Sequence, residues 1–261
     1  MAVVESAATG AAVSRPFSGK VAIVTGGTRG IGAAITVELA RLGAHVAAGF
    51  NRDGESATRV RDELTARGDS ISIHQGNVGE PEDCNRVVAE VLAEQGHVDF
   101  LVNNAGITID KTVRKMSVQD WQDVMRINVS GAFFMVKAVL DHMLERGGGR
   151  IVNVSSVIGQ TGNIGQANYA ASKAAMLGLT QSLALETARK GITVNCVAPG
   201  FIETEMVAAI PRPILDGIIE KVPLRRLGRP DEVARVVRFL LEDESSYITG
   251  AIYTVNGGMF T

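Results

Sequence analysis

The chain has little that would tie it to a metal, a membrane or a nucleic acid. Among 261 residues there are two cysteines, Cys84 and Cys196. A lone, distant pair makes no disulfide framework, and a reducing cytoplasm is the natural setting. The four histidines, His45, His74, His97 and His142, show no metal-ligand spacing, so no metal is expected. Lysine and arginine total 26 against 28 acidic residues, a formal net charge of −2. That balance gives no electrostatic case for nucleic acid or a membrane surface. No apolar run approaches the ~18 residues of a membrane span. The start, MAVVESAATGAAVSRPFSG, lacks a basic segment followed by an apolar one, so it reads as a poorly ordered tail over 1–18 rather than a signal peptide.

What is present is an alternation. Short β-branched runs at 20–25, 45–50, 70–75, 99–103, 150–155, 192–197 and 251–255 are separated by helical patterns at about 30–42, 55–67, 81–95, 117–145, 167–190 and 230–242. The strands are almost continuously apolar, as expected of a parallel sheet covered by helices on both faces. With neither repeat nor linker, 19–261 reads as one α/β domain. A stretch over 200–228 carrying Pro211, Pro213 and Pro223 is too long for an ordinary connection and has the character of a lid.

Directly after the first strand comes TGGTRGIG (25–32), opening the first helix. Strand, glycine turn and helix in that order are the context of a dinucleotide site in a Rossmann-type, doubly wound sheet of about seven strands. Glycines permit the tight turn, the approach of backbone to pyrophosphate and the packing of helix on strand, while the helix N-terminus offers N–H groups to phosphate. The expected contacts are Gly26, Thr28, Arg29, Gly30, Ile31 and Gly32. Asn51 and Arg52 follow the second strand, Asn77 and Val78 the third, and Asn104, Ala105 and Gly106 the fourth. The second strand ends with Gly49 and Phe50 where an acid would bind an unphosphorylated ribose. Arg29 and Arg52 instead suit a 2′-phosphate, so NADPH/NADP+ is the expected cofactor. Asp53 is open to two other uses: pairing with Arg52, or taking the ribose site itself.

In NYAASKAAMLGLTQSLALE (168–186), Tyr169 and Lys173 sit one helical turn apart on a helix whose apolar period runs through Met176, Leu179 and Leu183. Ser156 lies 13 residues before Tyr169. With TGGTRGIG, NNAG (103–106), Ser156, YAASK and PG (199–200) in order, the chain resembles the short-chain dehydrogenase/reductase family over roughly 18–261.

The resemblance implies roles. Tyr169 would be the general acid that protonates a substrate carbonyl as hydride arrives from the nicotinamide. A free phenol has a pKa near ~10, and the Lys173 cation would favour its ionised form. Lys173 would also hold the nicotinamide ribose, and Ser156 would polarise the carbonyl. Asn128, in INVSGAFF, would hold a water linking Lys173 to solvent. Pro199, Gly200, Ile202 and Thr204 would meet the nicotinamide end.

Within the family, GNIGQANYAASKA and VAPGFIETEM look like 3-oxoacyl-carrier-protein reductases. VAAGFN, GNV, GITIDKTVRKM and IGQTGNIGQ look more like acetoacetyl-CoA reductases. By that likeness Asp110, Lys115 and Gln166 would lie near an acyl thioester. Lys111, Arg114, Lys115, Arg225, Arg226 and Arg229 would either meet CoA phosphates or a carrier protein's acidic face, or form an ordinary solvated surface. The implied activity is NADPH-dependent reduction of a 3-oxoacyl thioester, on CoA or carrier protein, by a cytoplasmic homotetramer. A dehydrogenase of sugars, alcohols or steroids is the alternative. A non-catalytic NADP(H) sensor is more remote, since it would have lost Tyr or Lys. An enoyl-thioester reductase is disfavoured, because that branch separates its Tyr and Lys by more than four positions.

Overall fold

The computed structural model describes residues 15–208 and 210–260. Seven strands form one sheet: β1 (Val21–Val24), β2 (His45–Phe50), β3 (Ile71–Gln75), β4 (Phe100–Asn103), β5 (Gly149–Val154), β6 (Ile192–Pro199) and β7 (Ile252–Val255). They run in the order β3-β2-β1-β4-β5-β6-β7, every pairing parallel. β1 and β4 are neighbours though three crossovers separate them in sequence. The crevice beyond their carboxyl ends is the switch point where such sheets bind ligands.

The helices are α1 (Gly30–Arg41), α2 (Gly54–Ala66), α3 (Pro81–Gln95), α4 (Val118–Met125), α5 (Gly131–Arg146), α6 (Ile158–Thr161), α7 (Ala167–Thr187), α8 (Glu205–Ala208), α9 (Arg212–Lys221) and α10 (Pro230–Leu241). One core layer joins Ile35 and Leu39 of α1 and Val233, Val237 and Leu240 of α10 to one sheet face. The other joins Val88 of α3, Met135 and Val139 of α5 and Leu183 of α7 to the opposite face. Strands between two such layers are buried on both sides, hence their unbroken apolar runs.

Two expectations are corrected here. Residues 1–14 lie outside the described residues; of the next four, Phe17 anchors the chain to the core while Arg15, Pro16 and Ser18 stay exposed. Phe17 is 3% exposed. Its ring meets Phe100 edge-on at 5.2 Å and its N–H donates to Leu42 O at 3.0 Å. Burying so large an aromatic offsets part of the entropy of fixing these residues. Also, the helical run 118–146 is long and apolar enough to cross a membrane by length and composition. Its apolar side is spent on the sheet, with Met135, Val136, Val139 and Met143 buried.

That run is not one uniform helix. A π turn, Arg126–Ser130, separates α4 from α5 and carries Asn128. The 200–228 stretch is likewise structured. Glu203 N–H donates to Gly228 O at 2.8 Å and Gly228 N–H to Phe201 O at 3.0 Å. These bonds pinch the stretch at its neck, and α8 and α9 lie beyond.

Candidate active site

The glycine turn is built by exclusion of side chains. Gly26 and Gly30 have positive φ, +62° and +53°. A Cβ on Gly32 would fall 2.0 Å from Gly26 O, and one on Gly26 would fall 3.2 Å from both Asn104 Nδ2 and Ala105 Cα. Gly27 N–H donates to Gly49 O at 3.0 Å, tying the turn to β2. Thr28 is buried, Ile31 packs against the α1 core layer, and Arg29 is the exposed N-cap of α1. No side chain caps that helix and its first turn holds no acid, so its leading N–H groups face the crevice with the positive end of the helix dipole. A bare cradle of this kind fits a pyrophosphate.

The neighbouring strand ends lock onto the turn. Asn104 Nδ2 donates to Thr25 O and Gly26 O at 3.0 and 3.1 Å. The Thr25 hydroxyl accepts from Asn104 N–H and Ala105 N–H, both at 3.0 Å. Thr25 was missed from sequence, although a hydroxyl ending an apolar strand was its available signal. After β3, Asn77 N–H donates to Asp83 Oδ2 at 2.8 Å and Asn77 Oδ1 accepts from Gly79 N–H at 3.1 Å. Val78 leans on Gly131, where a Cβ would come within 2.8 Å of its Cγ2. Asn51 and Arg52 are exposed beyond β2. The two open uses of Asp53 give way to a third: it caps α2, accepting from Ser56 N–H at 3.0 Å. That bond holds its carboxyl below the usual range.

β5 and α7 deliver the polar centre. Ser156 follows β5 and is buried, with its hydroxyl accepting from Ile158 N–H at 3.2 Å. Across from it lies Tyr169, close enough for the Ser156 side chain to act on its phenol. Lys173 is 4% exposed, donates to Val154 O at 2.8 Å and sits 5.7 Å from the Tyr169 ring centre. Burial lowers the Lys173 ammonium to about 8. Burial also raises the Tyr169 phenol, against the Ser156 side chain and helped by the Asp110 charge. Lys173 is not among the groups that act on the phenol, and desolvation is the largest influence on both side chains.

Asn128 is buried behind them. Its amide donates to Ile107 O and Ser172 Oγ, both at 3.0 Å, and its oxygen accepts from Ile107 N–H at 2.8 Å. Ser172 in turn donates to Tyr169 O at 2.8 Å. No sequence signal marked Ser172. Gly106 stands between, and a Cβ there would meet Asn128 Oδ1 at 3.3 Å and Lys173 Nζ at 3.4 Å. A cavity of about 10 Å³ borders Asn103, Asn128 and Lys173, room for about one water. Asn103 Oδ1, buried nearby, has no partner among the described residues.

At the mouth, Gln166 Nε2 donates to both Asp110 oxygens at 3.0 Å, so these two predicted residues are brought together. Lys115 is not: it is exposed, with no side-chain bond among the described residues. Three of the basic candidates are already paired, Lys111 with Asp120, Arg226 with Glu232 and Arg229 with Asp231. From β6, Pro199 and Gly200 lead to buried Ile202, bridged to Gly228. Thr204 Cγ2 lies 3.3 Å from where a Cβ on Gly30 would be. The foot of the lid thus leans on the glycine turn.

Comparison with known proteins agrees with this geometry. The profile of the short chain dehydrogenase family matches residues 20–214. An acetoacetyl-CoA reductase of Shinella zoogloeoides is 47% identical over 242 residues, 92% of this chain and 98% of that protein. A 3-oxoacyl-[acyl-carrier-protein] reductase of Escherichia coli (strain K12) is 46% identical over 244 residues, 94% of this chain and 98% of the relative. One from Staphylococcus epidermidis is 42% identical over 241 residues, 92% and 99% of the two chains. The chain belongs to the short chain dehydrogenase family and is an oxidoreductase of the kind that uses a nicotinamide cofactor.

Proposed function

We propose that the protein reduces a 3-oxoacyl thioester, carried on CoA or on an acyl-carrier protein, to the 3-hydroxyacyl thioester with NADPH. The observation that carries this reading is the convergence of Ser156, Tyr169 and Lys173, with Lys173 against Gly106 at the end of β4. The relatives named for acetoacetyl-CoA and 3-oxoacyl-carrier-protein reduction support the substrate class.

The cofactor would be held by the turn from Gly26 to Gly32, by Asn77 and Val78, by Asn104 to Gly106, and by the foot of the lid from Pro199 to Thr204. Arg29, and Arg52 beside it, would take the 2′-phosphate. When bound, it supplies the hydride. This chain's residues do the rest. Ser156 hydrogen-bonds the substrate carbonyl and fixes its pose. Tyr169 keeps its proton at neutral pH as any phenol does, burial acting in the same direction, and gives it to the carbonyl oxygen as negative charge develops there. Lys173, with a pKa of about 8, can hold or release a proton near working pH, and bound nucleotide would bring its ammonium towards the ribose. Asn128 fixes the loop at Ile107 and borders the cavity from which a water could reach Lys173. Asp110 and Gln166 would receive the acyl thioester at the mouth.

We further infer a cytoplasmic homotetramer. Its two buried cysteines are free thiols, and Phe133 of α5 and Leu185 of α7 expose apolar surface for pairing with another copy.

The test follows NADPH oxidation with acetoacetyl-CoA, a longer 3-oxoacyl-carrier protein and a ketosugar. Turnover of either thioester is the expected result. Activity on the sugar alone would sink the thioester reading in favour of a sugar dehydrogenase.

A further inference from the structure

The lid does more than cover the mouth. Its foot touches the nucleotide turn through Thr204 and Gly30, and the next residue, Glu205, faces Arg29 with Oε2 4.0 Å from Nη1. The placement of Glu205 is fixed from below. Ile202 is bridged to Gly228, and Thr204 O accepts from Val207 and Ala208 N–H at 3.0 and 2.8 Å. The other acid that feels Arg29 is Asp53, but its carboxylate is committed to capping α2. Among the described residues the Glu205 carboxylate makes no other ion pair or hydrogen bond. Among the described residues Arg52 makes no ion pair.

We propose that Glu205 tunes the choice between phosphorylated and unphosphorylated cofactor, by competing with the 2′-phosphate of NADPH for the Arg29 guanidinium. The inference rests on the NADPH reading and deepens it. A carboxylate and a phosphate monoester are both anions that arginine grips through paired N–H donors. Arg29 cannot offer the same fork fully to each, so part of what the phosphate gains is lost by Glu205. NADH brings no phosphate and leaves the pair undisturbed. Both side chains are largely exposed, 62% and 75%, so the competition has the strength of a surface ion pair. That corresponds to roughly two- to fivefold in affinity.

The experiment titrates NADPH and NADH into wild type, Glu205→Gln, Arg29→Ala and the double variant, reading nucleotide fluorescence at low and high salt. Glu205→Gln should tighten NADPH roughly two- to fivefold, leave NADH unchanged, and lose its advantage as salt screens the pair. On the Arg29→Ala background the same change should do nothing. Equal tightening of both nucleotides, no tightening, or a gain that survives without Arg29 would each overturn the role of Glu205. A wild type that binds NADH as tightly as NADPH would instead overturn the cofactor reading on which it rests. Steady-state KM for NADPH should move with the affinity while kcat with substrate stays put.

Discussion

The nucleotide side of the crevice and its substrate side are built from different materials. On the nucleotide side the shape is backbone: positive-φ glycines, strand ends tied together through the Thr25 hydroxyl, and the uncapped start of α1. On the substrate side the shape is side chain, with Gln166 on Asp110, Lys111 on Asp120 and a lid joined at a narrow neck. Backbone sites tolerate no extra atom, whereas side-chain sites can be trimmed and retuned. A cofactor common to a family suits the first kind of wall and a variable substrate the second.

Tyr169, on the seam between the two, sets the upper end of the expected effects. Tyr169→Phe should lower kcat by roughly 10²- to 10⁴-fold while nucleotide affinity holds, as measured by turnover beside fluorescence titration. Near-normal kcat would show that the acid lies elsewhere. Gly32→Ala probes the backbone wall, because its Cβ would meet Gly26 O at 2.0 Å. Nucleotide affinity should fall by about 100-fold or more, and stability by about 1–3 kcal/mol in urea melts. If both survive, the turn is softer than the comparison allows.

Lys173 offers a pH test of the same seam. The unfolded lysine keeps its proton up to 10.5 and the folded one up to about 8. Between those values the unfolded chain binds more protons, so raising the pH should favour folding, and lowering it through about 8 should remove that advantage. Urea midpoints of wild type relative to Lys173→Met should rise across that window with no nucleotide added. A flat difference would mean that the buried ammonium is not strained by desolvation. The smallest effect is expected at the mouth. Gln166→Ala should raise the KM for acyl thioester by a few-fold, about 0.5–1.5 kcal/mol for one hydrogen bond, without altering the KM for NADPH. A shared change in both constants would erase the division between the two walls.

Legibility in the sequence follows the same division. All seven strands begin within one residue of their apolar run, because burial on both faces leaves a continuous composition mark. The glycine turn, Ser156, Tyr169 and Lys173 were readable because their spacing is set by the chain's path. Side-chain pairing leaves no such mark. An Asp just ahead of a helical pattern is a cap signal that Asp53 carried, but nothing in the order of residues shows that Lys111 is spent on Asp120. Nor could a pattern say whether Lys173 or desolvation governs the Tyr169 phenol, since that depends on depth rather than sequence. Helices α8 and α9 were hidden by the prolines that mark the lid as irregular, although Pro213 sits in the first turn of α9, where proline is tolerated.

The π turn at Arg126–Ser130 makes the long helix a device that counts. Within α4 and α5 each residue advances the helix by about 100°, and the wider turn absorbs about one extra residue. Asn128 can therefore face Ile107 and Ser172 while Met135, Val139 and Met143 keep their phase against the sheet. Deleting a single residue from this turn should restore an ordinary helix, leave the apolar stripe in phase and pull the Asn128 amide away from Ile107 and Ser172. Insertions and deletions, rather than substitutions, are what this part of the gene can least accommodate.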